Sequence, residues 1–318
     1  MDKGFTYIHE LIWGYRTART LELAVKADIF TAMADGPANL DHICRKCGTK
    51  PDMTRKLLTG CQALDLVTES DGEFANTDLA AKYLLPASPY YQGNIIAHAF
   101  SVQEYWNSLE NELFQQPPAP PTEQARHYHF IMGMDNIARG GRADLFLNSV
   151  DLTGRENMLD VGGGPGSYSI AACKKYTKLK STVFDLPQTT EIAEKVITRE
   201  NMTDRITTQP GDWNEDEFGS GYDVVLFSNV LHGPNSGAEM KLAKAHRAMQ
   251  PGALLAIQEF VMNDEDAKPV PAAMFNIMVG AYKLYELMEV IADAGFTGVQ
   301  VAGSNDEIGC MWITAARQ

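Results

Sequence analysis

Leu159-Asp160-Val161-Gly162-Gly163-Gly164-Pro165-Gly166 reads as an apolar strand that runs into a glycine-rich turn and then a helix. The next apolar strand ends on an acid, Asp185, inside Val183-Phe184-Asp185-Leu186-Pro187. Glycines let the backbone turn sharply and let a ligand approach without Cβ clashes, and a strand-end carboxylate accepts hydrogen bonds from ribose hydroxyls. The pair describes a nucleotide site. A dinucleotide fingerprint wants glycine at the first, third and sixth positions of the turn; Gly162 and Gly164 fit, but Ser167 takes the sixth place and glycine comes one early, at Gly166. A third strand followed by Gly211-Asp212-Trp213 strengthens the reading.

From residue 157 onward, strand and helix patterns alternate. Apolar strands are expected at 158–161, 182–185, 206–208, 224–227 and 254–260. Such alternation implies an α/β, Rossmann-like doubly wound sheet, parallel and covered on both faces. The tail departs from it. Residues 299–302, a turn around Ser304-Asn305-Asp306, and residues 308–315 read as a hairpin, so the last strand is expected to be antiparallel.

At 318 residues the chain is long enough for two domains with sizeable cores. Its 45% hydrophobic and 21% charged residues are those of a globular protein. A formal charge of −14 argues against a nucleic-acid partner, which rewards a basic face. Five cysteines suggest no disulfide framework. Cys44-Arg45-Lys46-Cys47 has the spacing of half a zinc site, but four ligands are needed and no second pair appears, so two ordinary helix cysteines are the expectation. Met1-Asp2-Lys3-Gly4 opens no signal peptide, and no apolar run reaches the roughly 20 residues that span a bilayer. A cytoplasmic setting, with no membrane partner and no metal, is expected.

The N-terminal third is mainly helical. Leu21, Val25, Ile29 and Met33 recur every four residues, and Gly36-Pro37 ends that pattern. Two further helices are expected at 40–47 and 51–66, with Pro51 in a first helical position, then a β-wing through Leu66-Val67-Thr68, Ser70-Asp71-Gly72 and Phe74. Helix, helix and wing also outline a DNA-binding domain. Its second helix carries only Arg55 and Lys56 beside Lys50, too few for a strongly acidic chain. Four prolines between 117 and 121 make a surface loop, and one long helix is expected from Thr122 to about Asn148.

The motifs LDVGGGPG, FDLP at 184–187 and GDW at 211–213, with the strand 223–232 ending on His232 and Ala294-Gly295-Phe296 near the end, resemble class I S-adenosylmethionine-dependent methyltransferases. More narrowly, they resemble small-molecule O-methyltransferases with an N-terminal dimerisation domain, and the likeness runs from about Leu21 to the C-terminus. It implies a winged-helix-like dimerisation domain over 1–105, a linker loop and connecting helix over 106–150, and an S-adenosylmethionine-binding catalytic domain over 151–318. It implies a homodimer. Gly162 and Gly164 are then expected against the amino-acid part of the cofactor, Asp185 at the ribose, Asp212 and Trp213 at the adenine, and Leu186 and Ser228 as further contacts. Trp213 as plain core and Asp160 as a turn cap are the competing readings. Tyr128, Phe130 and Met134 fall where the family roofs its acceptor pocket; Phe275, Asn276, Met278 and Tyr282 are the other lining candidates, each also consistent with core packing.

Chemistry is expected at His232. Methyl transfer from a sulfonium is an in-line displacement that needs nucleophile, methyl carbon and sulfur collinear in a site without water. A phenol is mostly protonated at neutral pH, so a positioned base contributes about 10²–10⁴-fold, and imidazole suits the task. His232 follows the fourth strand at the cofactor end and aligns with the family's base. Glu259, at the end of the fifth strand, matches the carboxylate that orients it, or is an ordinary strand-end acid. Two departures stand out. Family members continue the histidine with Asp-Trp or Asn-Trp, whereas Gly233-Pro234-Asn235 follows here, and Ala281 falls near the place of a flanking glutamate. The expected reaction is transfer to a small-molecule hydroxyl. A sulfur, nitrogen or carbon acceptor needing no base, or a member that binds the cofactor without transferring methyl, are the alternatives.

Overall fold

The structure, a computed structural model, describes residues 4–318. Residues 1–3, part of the segment read above as opening no signal peptide, lie outside it. Two compact units emerge: the described part of Met1–Pro121 with Met262–Val279, and Thr122–Val261 with Gly280–Gln318.

The first unit begins with α1 (Phe5–Lys26) and α2 (Ile29–Ala32). The four-residue apolar repeat predicted one continuous helix, but Asp28 takes φ 57° and divides it. Leu21 and Val25 are half-buried on α1, while Ile29 and Met33 are buried beyond the turn. After β1 (Ala38–Asn39) come α3 (Leu40–Cys47), capped by the Asn39 side chain on the His42 amide, and α4 (Pro51–Ala63), which starts on proline. The wing forms as expected: β2 (Val67–Ser70) pairs antiparallel with β3 (Glu73–Asn76). The helices α5 (Asp78–Leu84), α6 (Gly93–Ser101) and α7 (Gln103–Leu113) follow. Phe30, Ile43, Leu58, Cys61 and Phe74 are buried at its centre. The helix Val270–Met278 belongs to this unit, where Gly60 of α4 makes room for it: a Cβ there would stand 2.8 Å from Ile277 Cδ1.

In the second unit the predicted long helix is broken. α8 (Glu123–Ile137) passes through a π-helical turn, Ala138–Arg142, into α9 (Ala143–Ser149), and Gly141 leaves helical conformation at φ 128°. Adjacent glycines lower helix propensity enough to allow the break. Then follow β4 (Asn157–Val161), α10 (Ser167–Lys175), β5 (Lys180–Asp185), α11 (Pro187–Arg199), β6 (Ile206–Pro210), β7 (Tyr222–Ser228), α12 (Ala238–Ala248) and β8 (Met249–Glu259). Past β9 (Val261–Met262) and α13 (Val270–Met278) come β10 (Tyr282–Lys283), α14 (Leu284–Asp293), β11 (Phe296–Asn305) and β12 (Cys310–Arg317).

The sheet order is β11-β12-β8-β7-β4-β5-β6, with β4 to β8 parallel and β12 antiparallel to both β8 and β11. The strands are apolar on both sides because helices cover both faces. On one, Leu242 and Ala245 of α12 and Leu287 and Ile291 of α14 pack onto Val225, Phe227 and Leu255. On the other, Phe146, Ile170, Val196 and Ile197 pack onto Met158, Val224 and Leu226, and Phe146 stacks on the fully buried Trp312 with ring centroids 4.6 Å apart. Ligands in such sheets lie beyond the carboxyl ends of the parallel strands, beside the switch in strand order at β4.

Candidate active site

The turn after β4 is held from beneath. Asp160, buried, accepts from Ser169 Oγ at 2.7 Å, and a Cβ on Gly163 would stand 2.8 Å from its carboxyl carbon. Burial pushes the Asp160 carboxyl up to about 6. Gly162 takes φ 67°, and a Cβ there would meet Val230 at 2.7 Å and the Trp213 ring at 2.8 Å. Gly164, at φ 55°, differs: a Cβ on it would meet nothing within 4 Å. Its amide donates to Asp185 Oδ2 at 2.9 Å, and the Leu186 amide donates to Oδ1 at 2.8 Å. Desolvation raises the Asp185 carboxyl above its ordinary value, while those amides and the Thr189 hydroxyl oppose the rise. Each oxygen still has a lone pair for another donor, such as a ribose hydroxyl.

Asp212 folds onto its own turn: Oδ1 accepts from the Asn214 amide at 2.8 Å. Trp213 is half-buried against the core, and the ammonium of Lys241 sits 4.9 Å from its ring centroid. Ser228 Oγ donates to Gln258 Oε1 at 3.0 Å.

Beyond β7 the backbone is contorted. Asn229, His232 and Asn235 take φ values of 54°, 51° and 72°, conformations that a non-glycine residue keeps only where its surroundings impose them and that cluster at functional sites. Glu259, fully buried, reaches under this loop: Oε1 accepts from the amides of Val230 and Leu231, each at 2.7 Å, and Oε2 lies 3.7 Å from His232 Nδ1. Glycine at 233 has a physical reason. A Cβ there would stand 2.7 Å from the Ala281 nitrogen and 2.9 Å from the Gly280 carbonyl carbon.

Gly162, Gly164, Asp185, Leu186, Asp212, Trp213, Ser228, His232 and Glu259 thus gather at the carboxyl edge of β4 to β8. Among the pocket candidates, Tyr128 and Phe130 are exposed on α8 and Met134 is half-buried. Tyr282 is buried in the core of the second unit. Phe275, Asn276 and Met278 lie on α13, which belongs to the first unit.

Sequence reasoning missed a polar shell around these groups. His127 Nε2 lies 3.3 Å from Thr189 Oγ1, next to Asp185. Asp135, buried on α8, accepts from Ser167 Oγ at 2.8 Å and from Arg139 Nε at 3.0 Å, anchoring the first residue of α10. Thr189, four residues past Asp185, was within reach of the motif; nothing in the local pattern pointed to Asp135.

The open ground above Gly164, the unsaturated Asp185 carboxylate and the strand-end acids suit a cationic nucleoside, and the antiparallel β12 separates this sheet from a plain dinucleotide fold. The chain is a class I S-adenosylmethionine-dependent methyltransferase. Residues 113–297 match the O-methyltransferase domain family and residues 9–86 the O-methyltransferase dimerisation domain, so the chain belongs to the O-methyltransferase family. It is 31% identical over 312 residues to the 3-hydroxy-5-methyl-1-naphthoate 3-O-methyltransferase of Streptomyces sahachiroi, covering 93% of this chain and 90% of that protein. Its fold is similar to an O-methyltransferase family 2 protein from Planctomyces limnophilus solved in complex with apigenin, with TM-score 0.83, 24% identity, and 100% and 97% of the two chains covered. Human N-acetylserotonin methyltransferase, solved in complex with S-adenosylmethionine, aligns with TM-score 0.54 and 20% identity over 100% of this chain and 98% of that one. No described helix is long and apolar enough to cross a membrane.

Proposed function

We propose that this enzyme methylates a hydroxyl oxygen of a small, ring-bearing acceptor, with His232 as general base. The observation that carries the reading is the approach of the Glu259 carboxylate to His232 Nδ1, at 3.7 Å, on a loop whose backbone is forced into shape. Bound S-adenosylmethionine supplies an electrophilic methyl group on a good, neutral leaving group. Gly162, Gly164, Asp185, Leu186, Asp212, Trp213 and Ser228 are the residues proposed to hold it. His232 withdraws the hydroxyl proton as the oxygen becomes nucleophilic, through the ring nitrogen turned away from Glu259. Glu259 favours the tautomer protonated on Nδ1 and offsets the charge that the imidazole gains. The naphthoate specificity of the Streptomyces relative supports an aromatic acceptor.

The proposed division of labour keeps 1–105 for dimerisation, 106–150 as connector and 151–318 for catalysis. Support for a homodimer comes from the match to a dimerisation domain and from the exposed side chains of Ile8, Leu11, Ile12 and Tyr15 along α1. All five cysteines are free, which supports a reducing, cytoplasmic setting.

The test uses S-adenosylmethionine with a deuterated methyl group, incubated with the protein and a small-molecule extract of the source cells. Mass spectrometry should find label on an oxygen of an aromatic compound, and His232→Ala should lower its rate of appearance 10²-fold or more. Label on sulfur, nitrogen or carbon, or full activity without His232, overturns the reading.

A further inference from the structure

Two ammonium groups are buried on one face of α12, three residues apart. Lys241 and Lys244 are 3% and 6% exposed, and no carboxylate of the described residues lies within ion-pair distance of either. A buried cation is expensive unless its protons are satisfied, and an apolar side chain of the same length would fill the space at less cost. What these ammonium groups bond to is therefore informative.

Lys241 Nζ donates to the carbonyls of Val230 and Ser236, each at 2.9 Å. Those carbonyls flank the His232-Gly233-Pro234-Asn235 segment, so one atom ties both ends of the loop that carries the imidazole. Glu259 holds the same loop from the other side through the Val230 and Leu231 amides. Val230 is gripped by both, its amide by the carboxylate and its carbonyl by the ammonium. Lys244 Nζ repeats the device one turn along, donating to the carbonyls of Trp213 at 2.8 Å and Asp216 at 2.9 Å. The Asp216 carboxylate in turn accepts the Asp212 amide at 2.8 Å. The segment fixed here is the one that carries the adenine-end residues.

We propose that Lys241 and Lys244 are positioning residues with different main loads: Lys241 sets His232 over Glu259 and reaches the cofactor side only through the Trp213 ring, 4.9 Å from its ammonium, while Lys244 sets the backbone of Asp212 and Trp213 for the cofactor. The proposal rests on the site assignments above. α12 thereby acts as a two-point jig, with the base and the adenine subsite each indexed to the same rigid helix. Charge-assisted donors to carbonyls are stronger than neutral ones, which suits loops that must keep strained backbone angles.

The two roles predict opposite defects. In the full-length protein, Lys244→Met should weaken calorimetrically measured binding of S-adenosylhomocysteine about tenfold or more, while Lys241→Met, which loses only the ammonium beside the Trp213 ring, weakens it clearly less than Lys244→Met does. The imidazole signals of His232 in ¹H–¹⁵N spectra, identified by their loss in His232→Ala, should shift in Lys241→Met and stay in place in Lys244→Met. Lys241→Arg and Lys244→Arg, which keep charge and donors, are measured beside them, so a fold that tolerates one substitution still gives the comparison. Equal effects of the two lysines on both readouts, or a thermal destabilisation with neither, would overturn the proposal. Neither readout needs the acceptor. A catalytically silent His232→Ala would instead refute the base assignment while leaving the lysine comparison standing.

Discussion

Oε2 of Glu259 stands 3.7 Å from Nδ1 of His232, and the carboxylate is fixed there by two backbone amides on its other oxygen. The carboxylate cannot swing away without abandoning Val230 and Leu231, so it is placed to orient the ring in the proposed reaction. Replacing Glu259 by Gln keeps an acceptor for those amides and removes the counter-charge. Methyl transfer should fall about 10- to 10²-fold, less than for loss of the base itself, with cofactor affinity unchanged. Initial rates and calorimetry on the same samples check this; a weakened cofactor with an unchanged rate constant would contradict it.

Gly233 predicts a steric defect. An added methyl would press on the backbone of Gly280 and Ala281, which cannot rotate aside as a side chain can. Gly233→Ala should lower unfolding free energy by about 1–3 kcal/mol in urea titrations and reduce turnover with it. Ala at Gly237, where φ is 73° but the nearest atom is a methionine methyl at 3.7 Å, serves as a control for strain without collision.

The glycine turn separates folding from binding. Gly162→Ala meets Val230 and Trp213 as well as an unfavourable φ, so it should destabilise the protein. Gly164→Ala meets empty space and carries the strain alone, about 1 kcal/mol. Its methyl would stand on the ground assigned to the ligand. Thermal melting should therefore rank Gly162→Ala below Gly164→Ala, while calorimetry with S-adenosylhomocysteine finds Gly164→Ala still folded and weakened at least tenfold.

Asp160 makes stability depend on pH in an unusual sense. Its folded value of about 6 lies above the unfolded value of about 3.9, so the native state holds the proton more tightly. The stabilisation it gives is complete below about pH 4 and is lost as pH rises through about 6, a difference of about 3 kcal/mol. Asp160→Asn keeps an acceptor for Ser169 and cannot ionise. Between pH 4 and pH 7 the variant should gain about 2–3 kcal/mol relative to the parent in unfolding experiments; a constant gap would show that Asp160 is ionised throughout.

Much of the second unit was legible because its chemistry is local. Strands buried on both faces read as unbroken apolar runs, and a turn that must pass over Asp160 and leave room above Gly164 requires glycine. His232 and Glu259 fell at strand ends, where a sheet of this kind gathers its ligand groups. Other features depended on distant partners. Nothing around Lys241 or Lys244 tells which carbonyls they bond, and Asp135 looked like any helix acid. Phe275 and Met278 read as pocket-lining candidates consistent with core packing, and nothing in the sequence said that α13 joins the first unit. The break at Gly140-Gly141 was signalled by the residue types and overridden by the stronger helical pattern around it.

The first unit holds residues from both sides of the second: α13 seats Ile277 and Met274 against Gly60, and Lys268 pairs with Asp65 at 2.9 Å. During synthesis the N-terminal segment therefore emerges from the ribosome with one wall of its core missing. It stays open until everything from residue 122 to residue 261 has been translated. Truncation anywhere before residue 270 leaves an unfinished first unit as well as a shortened second one.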